Sequence, residues 1–597
     1  MRLRPGRLTF IGSAGSKPIY CLAKEIILRA FFLLSVLALP AAELLATILP
    51  PDRTIVWEPG VDGGIPHRTQ VFADVTQPPY NAPNDGSADA APAIQDAIDD
   101  CPAGRVVFIP AGTYRLDERL EIRKGITLRG AGPAATILQL QLDSDIYIGG
   151  NWTNSGAVTQ ITSGYGKGSD TIEVADPAAF SVGEYVFVDQ LNDPSFVDDG
   201  GCTWNGRDSN SRALRQLVKI TGRSGDTLTI DPALYFGFSP AFVPEIIELS
   251  TWVVEWAGIE DLKLDRVAAP VGQGRNIEMT SCANCWISNV ESDRVYGRHF
   301  WLNRCAHCEV RDSFVHHAFD YCSGGIAYGI VIADGTSDTL VENNVARYLN
   351  NPISNESLGA GNVVAYNYTD EAWNCDEPDT DWLMADLNLN HCAHNYMTLV
   401  EGNQSSQISA DAFHGSSSHL VLLRNHADAQ HPTPRSSHLI SVDLHFLNRY
   451  VSAVGNVLGQ PGLLGVYELN GVSCSNQPAA YKLGYNNDGD CDPTGNDPQV
   501  AGTLLRHGNF EYFTGSTVWD PTISDHDLPN SYYLTSKPSF FGDLRWPAFG
   551  SDLSPRIGSL PAKYCFEQEL MPNCLEGGLF SDGFESGGLS AWSLAVP

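Results

Sequence analysis

A short repeated pattern constrains this fold more than any other feature of the sequence. In each copy an aliphatic residue is followed three positions later by Asn, or in a few copies by another residue. The aliphatic members are Ile287, Val310, Val341, Val364, Val400, Leu422 and Ala453, with steps of 23, 31, 23, 36, 22 and 31 residues. A base period of 22–23 residues with insertions is typical of a parallel β-solenoid with three strands per coil. We expect the Asn side chains to stack in a turn, where they bond to neighbouring backbone.

Composition agrees with many short strands and limits the possible partners. The chain of 597 residues has 56 Gly and only 18% charged residues, which favours tight turns over long helices. The formal net charge of −33 argues against nucleic acid or an anionic membrane as a partner. It also weighs mildly against a polyanionic glycan, unless a cation or a local basic patch intervenes.

The N-terminal residues have the pattern of an export signal. A basic segment is followed by the apolar run AFFLLSVLALPAA, which is too short to span a membrane and ends in small residues. We therefore predict a signal peptide at residues 1–46 and a secreted or cell-surface protein. No later segment is long and apolar enough to cross a membrane.

Four cysteines are spaced like the ligands of a zinc ribbon. Two residues separate Cys282 from Cys285, and two residues separate Cys305 from Cys308. The two pairs are offset by 23 residues, which is one coil. A stacked cysteine ladder or disulfides is therefore favoured over zinc, and an exported protein can oxidise its thiols.

The N-terminal segment combines several recognisable features. They are Asp85-Gly86, an amphipathic helix with Ile94 and Ile98, the strand VVFIP at 106–110, Gly112-Thr-Tyr114 and the segment ITLRG at 126–130. Together they resemble the start of the pectate-lyase superfamily, which includes rhamnogalacturonase and epimerase-like proteins. The resemblance implies a helix that caps a right-handed parallel β-helix. The predicted fold class is thus all-β, a right-handed parallel β-helix with an N-terminal capping helix and a small inserted β domain.

Shifts in pattern set the expected boundaries along the chain. Alternating strands with Gly-Asp turns break the coil pattern after residue 155. The predicted parts are a signal peptide (1–46), an N-terminal cap with the first coils (51–155), an inserted β domain (156–236), the main β-helix (245–460), C-terminal coils or a capping segment (461–575) and a tail (576–597). The aromatic- and proline-rich stretch after residue 500 is expected to run along the solenoid or to cap it.

Aligning the coils predicts a row of polar side chains on one outer face. Side chains alternate inward and outward along a strand, and adjacent coils are about 4.8 Å apart. Asp386 and Asp411 are therefore expected to be outward neighbours, with Glu356 one coil before them and His438 or Asp443 one coil after. The acidic insertion at residues 370–384, which carries two tryptophans, is expected to overhang this row.

Such a row suits chemistry on sugars. Two carboxylates on neighbouring coils can divide acid and base work, and tryptophans can stack on sugar rings. The predicted catalytic residues are Asp386, Asp411, His414 and Glu356, and the predicted substrate-binding residues are His391, His394, Trp373, Trp382 and His438. The alternative is that the aspartates are solvated surface residues and that the histidines only hydrogen-bond turns.

The central segment HCAHNYMTLVEGN…SADAFHGSSSH resembles a recurrent motif of bacterial secreted β-helix proteins in the same superfamily. The residues that carry the match are His391, His394, Tyr396, Glu401, Asp411, Ser417 and His419. The Gly-His-Gly and Asp-Asp signatures of polygalacturonases and the Arg/Lys cluster of pectate-type lyases are not found near the row.

Three functions remain open. The first is a glycan-cleaving hydrolase that uses the carboxylate row, and the second is a polysaccharide lyase. The third is a non-catalytic glycan-binding solenoid. We expect that hydrolysis by the carboxylate row requires no cofactor. A Ca²⁺ ion is the alternative cofactor, because Asp488, Asp490 and Asp492 alternate like part of a calcium loop. The expected partner is a polysaccharide, and the expected state is a monomer.

Overall fold

The Asn residues of the repeat form a continuous ladder inside the chain. In the computed structural model each ladder side chain except the last donates from Nδ2 to Oδ1 of the Asn one coil further on, at 2.8–3.0 Å. The members are Asn344, Asn367, Asn403, Asn425, Asn456 and Asn509. Each Oδ1 after that of Asn344 also accepts from the backbone N–H of the preceding ladder residue. The predicted Asn stack is confirmed, and it ties successive coils together through direct hydrogen bonds between buried side chains.

The structure describes residues 48–151, 156–202, 204, 207, 211–249, 252–269, 274–322, 324–356, 358–373, 383–470, 477–486 and 495–568. The predicted signal peptide, the C-terminal tail, the Asp488–Asp492 turn and Trp382 lie outside these residues. None of the helices in the described part of the chain combines the length and apolar character needed to cross a membrane.

Three parallel sheets run the length of the solenoid. The sheet that carries the candidate site is called the cleft sheet. Its strands, in spatial order, are Leu120–Ile122, Ile146–Gly149, Arg275–Thr280, Arg298–Asn303, Tyr328–Ala333, Asn351–Glu356, Leu387–Asn388, Ile408–Ala410, Ile440–Leu444, Ala479–Leu483 and Val466–Asn470.

The second sheet follows the cleft sheet in each coil and contains the aliphatic members of the repeat. Its strands are Val71–Asp74, Val106–Phe108, Thr127–Arg129, the first parts of Gly258–Arg266 and Trp286–Asp293, Glu309–Arg311, Leu340–Glu342, Val363–Ala365, Leu399–Glu401, Val421–Leu423, Ser452–Val454 and Leu505–His507.

The third sheet follows the Asn turn. Its strands are Asp85–Asp89, Gly112–Leu116, Thr136–Leu140, the last parts of Gly258–Arg266 and Trp286–Asp293, Phe314–His316, Val345–Leu349, Tyr368–Ala372, Gln404–Ser405, His426–Ala427, Val457–Leu458 and Asn509–Glu511, with Ser516–Val518 antiparallel to the last. Short pairs join coils at the corners, Val254–Glu255 with Cys282–Ala283 and Asn395–Tyr396 with Ser417–Ser418. The prediction of an all-β parallel β-helix is confirmed.

Helices are short and few in the described residues. The predicted N-terminal helix is present at Ala91–Asp100 and buries Ile94, Ala97 and Ile98 against the solenoid core. The remaining α-helices are Pro498–Thr503 and Pro561–Glu567, and 3-10 turns lie at Pro51–Arg53, Pro177–Ala179, Pro240–Phe242 and Ser539–Phe541.

The inserted β domain is a closed antiparallel barrel of six strands. Its strands are Val158–Ser163, Thr171–Val174, Tyr185–Asp189, Arg215–Ser224, Thr227–Asp231 and Glu245–Glu248. The barrel therefore reaches Glu248, beyond the boundary expected at residue 236. It packs on the solenoid through polar contacts such as the Tyr235 hydroxyl, which donates to Asp338 Oδ1 at 2.6 Å.

The C-terminal segment runs along the second sheet, as predicted. Tyr533 Oη donates to Glu342 at 2.6 Å, and the backbone N–H of Tyr532 donates to Glu401 at 2.9 Å. Glu401 is fully buried there, and its burial raises its pKa to about 7. This carboxylate therefore anchors the segment and lies away from the cleft sheet.

The four spaced cysteines form a buried ladder with free thiols. Cys282 and Cys305 occupy equivalent corners of successive coils, and so do Cys285 and Cys308. Each thiol contacts two of the other three. The predicted stacking is confirmed.

Candidate functional site

A polar cleft of about 620 Å³ lies on the outer face of the cleft sheet. It is lined by Trp204, Arg275, Glu278, Arg298, Trp301, Asn303, Arg304, Gly324, Gly325, Tyr328, Asp334, Glu356, His391 and His414. The residues come from successive coils because parallel register stacks equivalent positions, so that Arg298 aligns with Tyr328 and Asn303 with Ala333.

His391 is the centre of a hydrogen-bonded chain at the cleft floor. Its Nδ1 lies 2.8 Å from Asp411 Oδ2, and its Nε2 lies 3.2 Å from the Tyr328 hydroxyl. Asp411 is fixed in turn, because Oδ2 accepts from Asn388 at 2.7 Å and Oδ1 accepts from the N–H of Phe413 at 2.8 Å. With Asp411 accepting from Nδ1–H, the Nε2 atom is the one that can take up a proton.

Burial and neighbouring charges shift the pKa values of the three hydrogen-bonded residues Asp411, His391 and Tyr328 in different ways. Burial disfavours the imidazolium, but the Asp411 carboxylate outweighs burial and raises the pKa of His391. Burial likewise opposes ionisation of Asp411, yet His391 and its other donors hold the pKa of Asp411 below its usual value. Burial and the nearby Glu356 carboxylate raise the pKa of Tyr328 far above its ordinary value, which keeps the phenol protonated. The chain thus joins a carboxylate, an imidazole and a phenol proton donor.

Arginines and a tryptophan form the other half of the cleft. Arg298 lies 3.3 Å from Glu356 and 4.2 Å from the centre of the Trp301 ring, measured to the guanidinium carbon. Arg275 stacks on the same ring at 3.5 Å and pairs with Glu278 at 3.1 Å. The charges are therefore nearly balanced and lie within reach of a bound molecule.

The inserted domain supplies one wall of the cleft through a disulfide. Cys202 of the domain forms a disulfide with Cys392, and their Cα atoms are 5.8 Å apart. Cys392 directly follows His391 in the sequence. Trp204 follows two residues later and is 59% exposed, and its ring meets the His414 ring edge-on at 4.6 Å between centroids. An exposed, anchored indole is suited to stacking on the apolar face of a sugar.

The predicted pairing of Asp386 with Asp411 does not occur. Register pairs Asn388 with Ser409, so that Asp411 aligns with residue 390, and Asp386 lies four residues earlier along the strand, roughly 13 Å away. The Asp386 carboxylate is fully buried and accepts a hydrogen bond from the backbone N–H of Ser406. Burial and the nearby Asp370 raise its pKa to about 8. The expectation that Asp386 points outward beside Asp411 is therefore wrong.

The row predicted from the coils keeps Glu356 and Asp411, but its other expected members are replaced. Extending the register by two residues aligns Glu356, residue 390, Asp411 and His445 across successive coils. Glu356 and His414 line the cleft, as does His391. The carboxylates of Glu356 and Asp411 thus sit two coils apart.

The other predicted binding residues lie elsewhere. His394 is buried between Ser416 and Ser418 and packs on Phe196 of the inserted domain, and burial lowers its pKa to about 3. His438 is buried 2.9 Å from Asp443, outside the cleft lining.

Trp373 also lies outside the cleft. It contacts Tyr321 and His431 rather than the cleft residues. Trp382, the second tryptophan of the acidic insertion, falls outside the described residues.

Several cleft residues were missed by sequence reasoning. Tyr328, Arg298 and Arg275 stand at or near the first positions of their cleft-sheet strands, where register alone would have aligned them. Trp204 could not have been found this way. It is held at the cleft by the neighbouring disulfide between Cys202 and Cys392, which are 190 residues apart. The basic cluster that the sequence did not reveal near the row is supplied by Arg275, Arg298 and Arg304.

Comparisons with known proteins agree with the predicted resemblance. A family model described as "Rhamnogalacturonase A/epimerase, pectate lyase-like" matches residues 75–173. The match covers the N-terminal helix and the first coils, and it confirms the resemblance to the pectate-lyase superfamily.

Curated relatives match short stretches of the chain. A probable rhamnogalacturonase E of Aspergillus oryzae is 34% identical over 85 residues, which is 14% of this chain and 17% of that protein. The mannuronan C5-epimerase AlgE3 of Azotobacter vinelandii is 34% identical over 106 residues, 16% of this chain and 5% of that protein. This chain therefore spans less than a fifth of either relative.

Among solved structures, the tailspike gp61 of Pseudomonas phage phi297 is similar at 13% identity and a TM-score of 0.48, over 68% of this chain and 66% of that chain. The A-module of the Azotobacter vinelandii mannuronan C-5 epimerase AlgE4 is similar at 14% identity and a TM-score of 0.32, over 68% of this chain and 93% of that chain.

Proposed function

We propose that the protein is a polysaccharide lyase that cleaves a uronate-containing glycan at the cleft by general acid–base catalysis. The observation that supports this most is the chain from Asp411 through His391 to Tyr328. The partial match to pectate-lyase-like proteins supports a carbohydrate substrate.

The contacts of Asp411 favour this chemistry over hydrolysis by a carboxylate pair. A glycosidase acid needs a carboxyl group with a raised pKa, and its partner needs a carboxylate free to meet water or the sugar. Asp411 has a lowered pKa, and both of its oxygens accept hydrogen bonds. It is therefore built to orient His391.

Cleavage uses two proton transfers with the sugar, and a third restores the protein. His391 Nε2 removes the proton from the sugar carbon next to the carboxylate, and the electron pair forms a double bond to the neighbouring carbon. The glycosidic C–O bond at that neighbour breaks, and the leaving oxygen takes the Tyr328 proton. The 3.2 Å contact between Tyr328 and His391 then returns the proton to the phenol and restores both groups.

The remaining cleft residues would bind the glycan. The Arg275 and Arg298 guanidinium groups are the cations in the cleft that would bind a uronate carboxylate, in exchange for part of their pairing with Glu278 and Glu356. A positive group near the substrate carboxylate also lowers the cost of removing the adjacent proton. Trp204 offers an exposed aromatic surface for a sugar ring at the wall, whereas the two arginines stack on the Trp301 ring.

Hydrolysis is the second candidate, favoured by the place of Glu356. Glu356 shares a row with Asp411, and the backbones of the two residues are two coils, or roughly 9–10 Å, apart. Carboxylates at such a separation can hold a water molecule between them and the sugar. Water would then be activated by Glu356 while protonated His391 acts as the acid.

A panel of neutral and uronate-containing polysaccharides distinguishes these functions. We expect products with an unsaturated, ultraviolet-absorbing end only from uronate-containing members. Reducing ends without this absorbance would support hydrolysis, and tight binding without any product would support the non-catalytic solenoid. The protein with His391→Ala is the control, because loss of His391 should abolish either reaction while binding persists.

The proposed setting is outside the cell, where the predicted signal peptide would direct the protein. Whether Ca²⁺ assists the reaction stays a prediction. The same panel run with and without a chelator tests it, because a calcium-dependent lyase would lose activity when the ion is removed.

A further inference from the structure

We propose that Asp293, His316 and His317 form a binding site for a divalent first-row transition metal ion. The three residues lie on the third sheet and the corner that follows it, outside the cleft lining. One ligand atom from each lies within 4.8 Å of the others, and this is the one such group of His, Cys, Asp or Glu found among the described residues.

The register of the sheet brings these side chains together. Asp293 and His316 are direct partners on adjacent parallel strands, and His317 follows at the corner. His316 Nδ1 lies 2.7 Å from His317 Nδ1 and 3.7 Å from Asp293 Oδ1. At metal–nitrogen distances of about 2.1 Å, two nitrogens so close subtend roughly 80° at the ion. That angle fits neighbouring ligands of a five- or six-coordinate ion.

One oxygen of Asp293 is left for the ion. Both neighbouring cations approach the other oxygen, with Lys263 Nζ at 3.2 Å and Arg294 at 3.9 Å from Oδ2. Oδ1 instead faces His316. The carboxylate can therefore bind an ion through Oδ1 without losing its ion pairs.

The surroundings hold the two rings in position. His316 Nε2 lies 3.4 Å from Glu291 Oε1, and Glu291 is fixed by Lys263 at 2.6 Å. A carboxylate that binds the far nitrogen of a ligating histidine orients the ring and raises its basicity. The His317 ring stacks on Tyr348 at 4.6 Å with planes 12° apart.

His317 lies at a corner of the coil and has an open side. Its φ of 63° is left-handed, like those of Arg294 and Tyr348 at the equivalent corners of the neighbouring coils, so the shape of the corner places the ring. Its side chain is exposed, which leaves the outer coordination positions to water. Two imidazoles with one carboxylate and open positions favour intermediate ions such as Ni²⁺ and Zn²⁺ over Mg²⁺ or Ca²⁺.

Isothermal titration of the chelator-treated full-length protein with Ni²⁺ and with Zn²⁺ tests this site. We expect one ion bound per chain with at least one of them, and no competition by millimolar Ca²⁺. His317→Ala and Asp293→Asn should each weaken binding at least 100-fold. Glu291→Gln should weaken it about 10-fold, because it removes only the group that orients His316.

His67→Ala is the matched control, since His67 is an exposed histidine far from these residues in sequence. It should bind the ion as the wild type does. Because His317 is exposed, its replacement should leave the circular dichroism spectrum and the unfolding midpoint unchanged. The proposal is overturned if the wild type binds neither ion stoichiometrically, or if His317→Ala binds as tightly as the wild type.

Discussion

Replacing Asp411 by Asn tests the proposed acid–base chain most sharply. Asp411 Oδ1 accepts from the N–H of Phe413, whereas Oδ2 accepts from Asn388 and His391. An Asn that still accepts the hydrogen bond from the N–H of Phe413 would place its NH₂ group where Oδ2 stood, facing the N–H donors of Asn388 and His391. His391 must then present an unprotonated Nδ1 and carry its hydrogen on Nε2, which removes the base.

The expected loss follows from that bond. A hydrogen bond to a charged group contributes about 1.5–3 kcal/mol, so kcat should fall by roughly 10- to 150-fold, and the tautomer change places the loss at the upper end. Asp411 also raises the pKa of His391, and the base works only when unprotonated. The acid limb of the pH–rate profile should therefore move to lower pH in the variant, while the plateau is reduced.

Initial rates on the cleaved polysaccharide between pH 4 and 9 give both quantities. Asp386→Asn is the control, because burial raises the pKa of Asp386 to about 8 and Asn resembles its neutral form. We expect the control to keep the wild-type kcat. An Asp411→Asn protein with more than half of the wild-type kcat and an unshifted acid limb would refute the argument.

Further predictions concern binding, folding and pH. Trp204→Ala should raise KM roughly fivefold with kcat within twofold, as expected for about 1 kcal/mol of stacking, and an unchanged KM would contradict its role. Cys202→Ser, which frees the same loop from Cys392, should raise KM to a similar extent in the same kinetic assay. Asn425→Ala should lower the free energy of unfolding in urea by about 3 kcal/mol, because it leaves buried ladder partners unpaired, and a change below 1 kcal/mol would count against the ladder. The native pKa of Asp386 is about 8, above its unfolded value, so the native state binds more protons and its contribution to stability falls as pH rises from about 4 to 8. Asp386→Asn should therefore flatten the pH dependence of unfolding free energy over that range, and an identical slope in both proteins would contradict this assignment.

The solenoid could be predicted because its repeat is a physical requirement of each coil. A buried Asn must be paired, and stacking identical residues pairs them all, so the spacing from Val341 to Asn344 appears again in later coils. The cysteine ladder was predictable for the same reason. Both features depend only on the period.

The site was less predictable because it depends on corners and distant segments. Alternation placed Asp386 on the outer face, but Leu387–Asn388 is only a two-residue strand. Asp386 precedes that strand, where alternation no longer applies, and its side chain turns into the protein. Trp204 reaches the cleft through a disulfide across 190 residues, which no local pattern encodes.

The most direct test of the proposed chemistry is the kcat of Tyr328→Phe on the cleaved polysaccharide. The change removes one hydroxyl, the one that contacts His391 Nε2 at 3.2 Å. Tyr368→Phe is the control, since its hydroxyl donates to Asp370 at 2.8 Å outside the cleft. Loss of a general acid should lower kcat by about 100-fold or more, with KM and the unfolding midpoint unchanged. A Tyr328→Phe protein whose kcat stays within fivefold of the wild type, on a substrate that the control also cleaves, would contradict the account.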